Sequence, residues 1–128
     1  MIAIGSDHGG FELKGHVIEH LKEKGIEVKD FGTYSEASVD YPDCAKPVCK
    51  AVLDGECECG ILICGTGIGI SMAANKFKGI RAALCGDVFS AKMSKEHNNA
   101  NIICMGGRVL GRELANMIVD TYPEAEFQ

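Results

Sequence analysis

The chain has 128 residues, a formal net charge of -5 and an apolar content of 46%. This length is typical of one domain with its own buried core, and we expect a single domain over residues 1–128. The acidic balance argues against nucleic acid or an anionic membrane as a partner, because both attract basic surfaces. No apolar stretch reaches the roughly 20 residues of a membrane span, and the first residues already follow a strand pattern, so a cytoplasmic location is expected.

Short apolar runs alternate with amphipathic stretches along the chain. The runs predict five strands, over residues 1–5, 26–31, 60–64, 80–85 and 101–105. The first amphipathic stretch predicts a helix that ends at Gly25. One of its faces is apolar and holds Phe11, Leu13, Val17, Ile18 and Leu21. The other face is charged and holds Glu12, Lys14, Glu19, Lys22 and Glu23.

Four more helices complete the pattern. One begins after Asp40 and Pro42, a plausible cap and first-turn proline, and the others are expected over residues 70–76, 88–96 and 111–122. Five β-α units in succession imply a mostly parallel sheet that is covered on both faces. The predicted fold is α/β, a Rossmann-like three-layer α/β/α sandwich with five strands, and its only long irregular stretch is residues 32–40.

The chain has seven cysteines, and their spacing argues for reduced thiols. The number is odd, no paired C-x-x-C spacing occurs, and several cysteines fall inside apolar runs. Cys57 and Cys59 form half of a possible metal site, but no second pair of ligands stands at a zinc-like spacing. We therefore predict no metal and no disulfide framework.

The most distinctive segment is residues 60–69, where an apolar run delivers Cys64 into the turn Gly-Thr-Gly-Ile-Gly. Glycines at alternate positions let backbone N–H groups face an anion, and the helix start that follows favours a thiolate. Polar or glycine-rich residues also follow the other strands, at positions 7–10, 86–87 and 106–108. Ligands of open α/β sheets bind at this carboxyl edge, so these residues outline one candidate site.

Other phosphate-binding motifs fit this loop less well. Ile70 stands where a cysteine phosphatase has an arginine and where a third dinucleotide-binding glycine is needed, and the segment has no Walker lysine. Asp87 does lie near the acidic position expected of a dinucleotide site. A non-catalytic nucleotide or sugar-phosphate binding module therefore remains an alternative to an enzyme.

His97 and Asn98 follow a predicted helix and precede the last strand. This order places them at the edge of the sheet opposite Cys64. If His97 acts together with Cys64, a second subunit has to supply it. We therefore predict a homodimer, or a tetramer built from such dimers, with a site shared between subunits.

Four separated motifs resemble the type B ribose-5-phosphate isomerases of the LacAB family, and the match covers nearly the whole chain. The motifs are Ile4-Gly-Ser-Asp-His-Gly-Gly10, Cys64-Gly-Thr-Gly-Ile-Gly-Ile-Ser71, Ala73-Ala-Asn-Lys76 and His97-Asn-Asn-Ala-Asn101. The resemblance implies an aldose-ketose isomerase that needs neither metal nor cofactor, is at least dimeric and acts on a phosphorylated sugar. Ribose 5-phosphate is the substrate it implies first, and allose 6-phosphate is a larger alternative.

The resemblance also implies roles for individual residues. Cys64 is the expected base between C1 and C2 of the open-chain sugar, and His97 assists ring opening. Asp7 and His8 bind the sugar, the latter near its phosphate. Thr66 and the amides of Gly65, Thr66, Gly67, Ile68 and Gly69 hold the enediolate oxygens. Asn98 and Arg108 add polar contacts.

Members of the family differ from this chain at two places that concern the site, the Cys64 loop and the C-terminal segment. Some members carry a serine in place of the cysteine and a glutamate base within the loop, but this chain has Ile68 there, so Cys64 keeps the role. Members also usually continue into a C-terminal segment whose arginines bind the phosphate. This chain ends at Gln128 before such residues, so the expectation is either that His8 and Arg108 capture the phosphate or that the given chain is a truncated form with impaired turnover.

Overall fold

A computed structural model describes residues 1–128. Strands and helices alternate, with a short 3-10 turn at His8–Gly10 after the first strand. The strands are β1 (Ile2–Ser6), β2 (Val28–Asp30), β3 (Cys59–Cys64), β4 (Ala82–Leu84) and β5 (Ile102–Gly106). The helices are α1 (Phe11–Glu23), α2 (Tyr41–Leu53), α3 (Ile68–Ala74), α4 (Val88–Glu96) and α5 (Arg112–Glu124). None of the helices has both the length and the apolar character that a membrane span requires.

The strands form one sheet in the order β2-β1-β3-β5-β4, and every neighbouring pair is parallel. Helices α1, α4 and α5 pack on one face, and α2 and α3 pack on the other. This arrangement confirms the predicted three-layer α/β sandwich. The central strand β3 pairs with β1 and β5, and its apolar run is buried on both faces, as expected of a central parallel strand.

The outer strands are shorter than their apolar runs predict. β2 and β4 have three residues each, because only part of each run pairs with its single neighbour. Helix α3 begins at Ile68, two residues earlier than expected, so Ile68 and Gly69 belong to its first turn. In α2, Asp40 holds the cap position without a side-chain hydrogen bond, and Pro42 lies in the first turn as predicted.

Lys14, which the helical spacing places on the charged face of α1, is buried. Only 1% of Lys14 is exposed, whereas Leu13, Val17 and Leu21 are buried as expected. Its ammonium finds partners beyond its own helix, in Asp30 and in the carbonyl oxygen of Thr33. A helical periodicity separates apolar from charged residues, but it cannot show that a charged residue has a buried partner elsewhere in the sequence.

Candidate active site

Cys64 is the last residue of β3 and lies where the carboxyl ends of three strands meet. In register, Cys64 stands opposite Gly106 of β5, and Ile63 stands opposite Ser6 of β1. The N–H of Gly107 donates to the carbonyl oxygen of Cys64 at 2.7 Å. Cys64 is 5% exposed, so its thiol lies in a constrained position at the predicted ligand-binding edge.

The loop after Cys64 folds back onto the thiol. The N–H of Gly67 donates to Cys64 Sγ at 3.1 Å. Gly67 has a left-handed φ of 82°, and a Cβ there would lie 2.5 Å from Leu84 Cδ1. The glycine spacing noted in the sequence is therefore required for this turn. The turn fixes one backbone donor against the sulfur.

Some of the loop amides remain free for a ligand. The N–H groups of Gly65 and Thr66 have no acceptor within the chain. In contrast, the amide of Gly67 donates to Cys64 Sγ, and the amide of Ile68 donates to Thr66 Oγ1 at 3.2 Å. Of the five predicted amides, those of Gly65, Thr66 and Gly69 are therefore free, and Gly65 and Thr66 are the two directly after Cys64 that can hold an oxyanion.

Asp7 lies beside Cys64 at the end of β1 and organises its own turn. Its Oδ1 accepts hydrogen bonds from the N–H groups of Gly9 at 2.9 Å and Gly10 at 3.2 Å. The turn passes so close to β3 that a Cβ on Gly10 would lie 2.4 Å from the carbonyl oxygen of Ile63. The hydrogen bonds of the Asp7 carboxylate are all to Oδ1, and Oδ2 accepts none from the protein.

His8 and Arg108 line one cleft of about 320 Å³ next to this turn. Nδ1 of His8 accepts a hydrogen bond from the N–H of Val39 at 3.2 Å. The guanidinium of Arg108 lies over Gly65, with NH1 3.4 Å from the position of a Cβ there, and no carboxylate pairs with it. Glu12 and Glu36 also line the cleft. An anion there would be bound chiefly by Arg108 and His8.

His97 and Asn98 lie at the other edge of the sheet from Cys64. His97 is the C-terminal cap of α4, and Asn98 lines a cleft with Arg81 and Ala100 near the amino ends of β4 and β5. The segment is fixed there because Arg81 Nε donates to the carbonyl oxygen of Asn99 at 2.7 Å. One chain therefore brings Cys64, Asp7, His8 and Arg108 together, but it does not bring His97 or Asn98 to them.

Asp87 does not have the free carboxylate that a dinucleotide ribose requires. It caps α4, with Oδ1 accepting from the N–H of Ser90 at 2.6 Å and Oδ2 accepting from the Ser90 hydroxyl at 2.7 Å. These hydrogen bonds lower the pKa of Asp87. Asp87 is therefore already engaged within the chain, which argues against the alternative of a dinucleotide-binding module.

Tyr41 is a candidate site residue that the sequence analysis missed. A Cβ on Gly69 would lie 2.9 Å from the Tyr41 ring, so the ring covers the start of α3 beside the Cys64 loop. Tyr41 is 41% exposed, and its hydroxyl forms no hydrogen bond within the chain. The available signal was its position directly after the helix cap Asp40, at the edge of the sheet that gathers ligands.

Cys49, Cys59 and Cys104 are buried thiols of the two core clusters. All seven thiols are unpaired. Burial raises the pKa of Cys49 and of Cys59 to about 11, and it raises the pKa of Cys104 well above the usual value. These thiols fill the core. No group of three or more His, Cys, Asp or Glu side chains is arranged to hold a metal ion.

These features describe an α/β protein with a candidate ligand site around Cys64, at the carboxyl edge of a parallel sheet. A family profile described as Ribose/Galactose Isomerase matches residues 2–128. The chain is 53% identical over 127 residues to ribose-5-phosphate isomerase B of Escherichia coli strain K12, covering 99% of this chain and 85% of that protein. The chain belongs to the ribose/galactose isomerase family, which confirms the resemblance drawn from its four motifs.

Solved structures agree with this assignment. The chain superimposes on a ribose-5-phosphate isomerase B of Clostridium thermocellum with a TM-score of 0.97 and 58% identity, covering 99% of this chain and 86% of that one. It superimposes on a ribose 5-phosphate isomerase of Thermotoga maritima with a TM-score of 0.97 and 56% identity, covering 98% and 87%. At these identities the similarity extends beyond the fold to the sequence as a whole.

Proposed function

We propose that the chain is an aldose-ketose isomerase that interconverts ribose 5-phosphate and ribulose 5-phosphate. The observation that carries this proposal is the position of Cys64, whose sulfur accepts the Gly67 N–H beside the free amides of Gly65 and Thr66. Proton abstraction next to a carbonyl needs a base and oxyanion donors on adjacent atoms. The Cys64 loop supplies both within three residues.

In the proposed reaction, the Cys64 thiolate removes the proton from C2 of the open-chain aldose. The C2–H electron pair forms the C1–C2 double bond, and negative charge develops on O1. The thiol then returns the proton to C1 while the O2 hydroxyl loses its proton and becomes the C2 carbonyl. O1 gains a proton, so the atoms and charges balance and one base serves both steps.

The developing oxyanion lies against the N–H groups of Gly65 and Thr66, with the Thr66 side chain beside them. A preorganised donor at such a charge commonly contributes about 2.7–4 kcal/mol to the transition state. Asp7 Oδ2 accepts from a sugar hydroxyl, because its other oxygen already holds the Gly9 and Gly10 amides. The sugar is thus oriented by groups that the fold has already fixed.

The phosphate occupies the cleft between His8 and Arg108. Arg108 has no carboxylate partner, and its planar guanidinium suits two phosphate oxygens at once. A sugar with one more carbon between phosphate and carbonyl, such as allose 6-phosphate, is the competing substrate, and comparison of kcat/KM for the two sugars identifies the preferred one.

A homodimer would complete the site with His97 and Asn98 of a second copy. Large apolar side chains are exposed around the Cys64 loop and nearby, and such patches mark interaction surfaces. Their exposures range from 45% to 70% for Ile68, Met72, Leu84, Val109 and Phe89. Covering this surface with a second copy would exclude water from Cys64 and bring a partner's helix end to the sugar, where its imidazole assists ring opening.

The test follows ribose 5-phosphate in D₂O by proton NMR, with a metal chelator present. The expected result is ribulose 5-phosphate, with deuterium at C1 in the fraction of turnovers in which the thiol proton exchanges with D₂O before its return, and no product in Cys64→Ala. Cys49→Ala is the matched control, because Cys49 is a buried core thiol on α2 outside the site. Turnover by Cys64→Ala at the unmodified rate would refute the assigned base.

A further inference from the structure

Lys14 is an ammonium group enclosed by the protein, close to the site but without access to it. Its side chain is 2% exposed, and Nζ donates to Asp30 Oδ1 at 2.7 Å and to the carbonyl oxygen of Thr33. The rings of Phe11 and Tyr34 lie with their centroids 5.6 and 5.4 Å from Nζ. A buried cation is costly unless it is paired, so the four contacts compensate its burial together.

The ammonium ties α1 to the segment that follows β2, residues 31–40, here called the 31–40 loop. The same loop is joined to the end of β1, where the N–H of Thr33 donates to the carbonyl oxygen of Ser6 at 2.7 Å. The N–H of Ser6 donates in turn to the carbonyl oxygen of Gly32 at 2.7 Å. Lys14 therefore holds the segment Gly32–Thr33, whose peptide groups are hydrogen-bonded to Ser6. Ser6 directly precedes Asp7 and His8.

The far end of the 31–40 loop contacts His8 directly. The N–H of Val39 donates to His8 Nδ1 at 3.2 Å, so in this arrangement Nδ1 is an acceptor. A neutral imidazole that accepts at Nδ1 carries its proton on Nε2. The loop thus selects both the ring orientation and the tautomer that His8 presents in the cleft it shares with Arg108.

We propose that Lys14 is a positioning residue that acts on His8 through the 31–40 loop. It pins one end of the loop by the Thr33 carbonyl, and the other end fixes His8 by the Val39 amide. This inference rests on the proposed function, because the purpose assigned to the fixed His8 is to donate Nε2–H to the sugar phosphate. Lys14 itself touches no substrate.

The first experiment needs no substrate and records the ring nitrogens of His8 by ¹⁵N NMR. Lys14→Met keeps the side-chain stem and removes the ammonium. The four histidines allow assignment by the signal lost in His8→Gln. We expect the Nε2–H tautomer in the parent protein and an averaged mixture of tautomers in Lys14→Met. Lys24→Met is the matched control, because Lys24 caps the C-terminal end of α1 and its 2.8 Å ion pair is to Asp120 of α5, away from the loop.

Kinetics then test the consequence for ribose 5-phosphate. We expect Lys14→Met to raise KM about tenfold, with a smaller change in kcat, because misplacement of a binding group by about 1 Å can cost up to a hundredfold. Lys14→Arg keeps a buried cation and should restore part of the loss. In a His8→Gln background, Lys14→Met should add almost nothing, because both changes remove the same interaction.

Two results would overturn the proposal. One is unchanged His8 nitrogen signals in folded Lys14→Met, and the other is an effect on KM that multiplies fully with that of His8→Gln. If Lys14→Met does not fold, Asp30→Asn weakens the hold on the ammonium and undergoes both measurements with the same two criteria. A protein that shows the tautomer change but no isomerase activity would contradict the proposed function and leave the positioning role supported.

Discussion

Gly67 and Cys64 are joined by a backbone hydrogen bond to sulfur, 3.1 Å from N to Sγ. The bond depends on a backbone conformation that only glycine adopts easily, because φ of Gly67 is 82°. Space is equally restrictive, since an added Cβ would lie 2.8 Å from the carbonyl carbon of Met105. The position of the proposed base is therefore determined by a residue without a side chain.

Gly67→Ala is expected to lower the free energy of unfolding by about 1–3 kcal/mol, the usual cost of a strained backbone residue. It should also reduce turnover sharply, because relief of the clash moves the loop away from Cys64. Urea unfolding and the D₂O assay measure the two effects.

The control is Gly15→Ala, in the interior of α1 with no atom within 4 Å of the added Cβ. That change should stabilise the protein by about 0.5–1 kcal/mol. Full activity in Gly67→Ala would contradict the loop's role.

A shared site predicts that two inactive variants restore each other. Cys64→Ala and His97→Ala are each expected to lose turnover, because each removes one half of every site. After unfolding and joint refolding, half of the dimers are mixed, and each mixed dimer has one intact site of two. About a quarter of the parent activity should return. Refolding each variant alone is the control. No recovery in a sample shown to contain mixed dimers would mean that His97 does not act across subunits.

Tyr122 secures the segment that carries His97. Its hydroxyl donates to the carbonyl oxygen of Ala100 at 2.7 Å, and burial raises the pKa of Tyr122 so that the group stays a donor. Tyr122→Phe should lower the free energy of unfolding by about 1–1.5 kcal/mol. Tyr34→Phe removes an exposed hydroxyl that donates to the Asp30 carbonyl oxygen and should change stability little. Equal effects of the two changes in urea unfolding would contradict a special role for Tyr122.

The sequence predicted the fold well because its signals were local and strong. Five apolar runs separated by amphipathic stretches permit few topologies, and the run ending at Cys64 matched a central strand within one residue. The carboxyl-edge rule then placed Asp7, Cys64 and Arg108 on the same edge of the sheet before any distance was known.

The features that could not be predicted depend on long-range partners. The helical spacing placed Lys14 on the charged face of α1, whereas its actual partners lie 16 and 19 residues away, in Asp30 and Thr33. The division of the loop amides depended on a backbone turn at Gly67, which spacing alone does not describe. The position of Tyr41 over Gly69 arises from the packing of α2 on α3, so no local pattern indicated it.

The pH dependence of stability has a defined contribution from Asp120, which joins α5 to α1. Burial acts to raise the pKa of Asp120, but hydrogen bonds from Lys24 and His20, each 2.8 Å long, outweigh burial and lower it. The folded-state pKa is therefore below that of the unfolded chain, about 3.9. The stabilisation is present above that value and is lost as the pH falls through the folded-state pKa.

Asp120→Asn should therefore lower the free energy of unfolding at pH 5 by up to about 1 kcal/mol. The difference from the parent protein should shrink as the pH falls from 5 through the folded-state pKa of Asp120, since the parent protein then loses the charge as well. Urea unfolding at closely spaced pH values measures it. Asp54→Asn removes an exposed carboxylate that forms no ion pair and serves as the control. A difference between Asp120→Asn and the parent that stays constant across this range would show that lost packing, rather than lost charge, destabilises the variant.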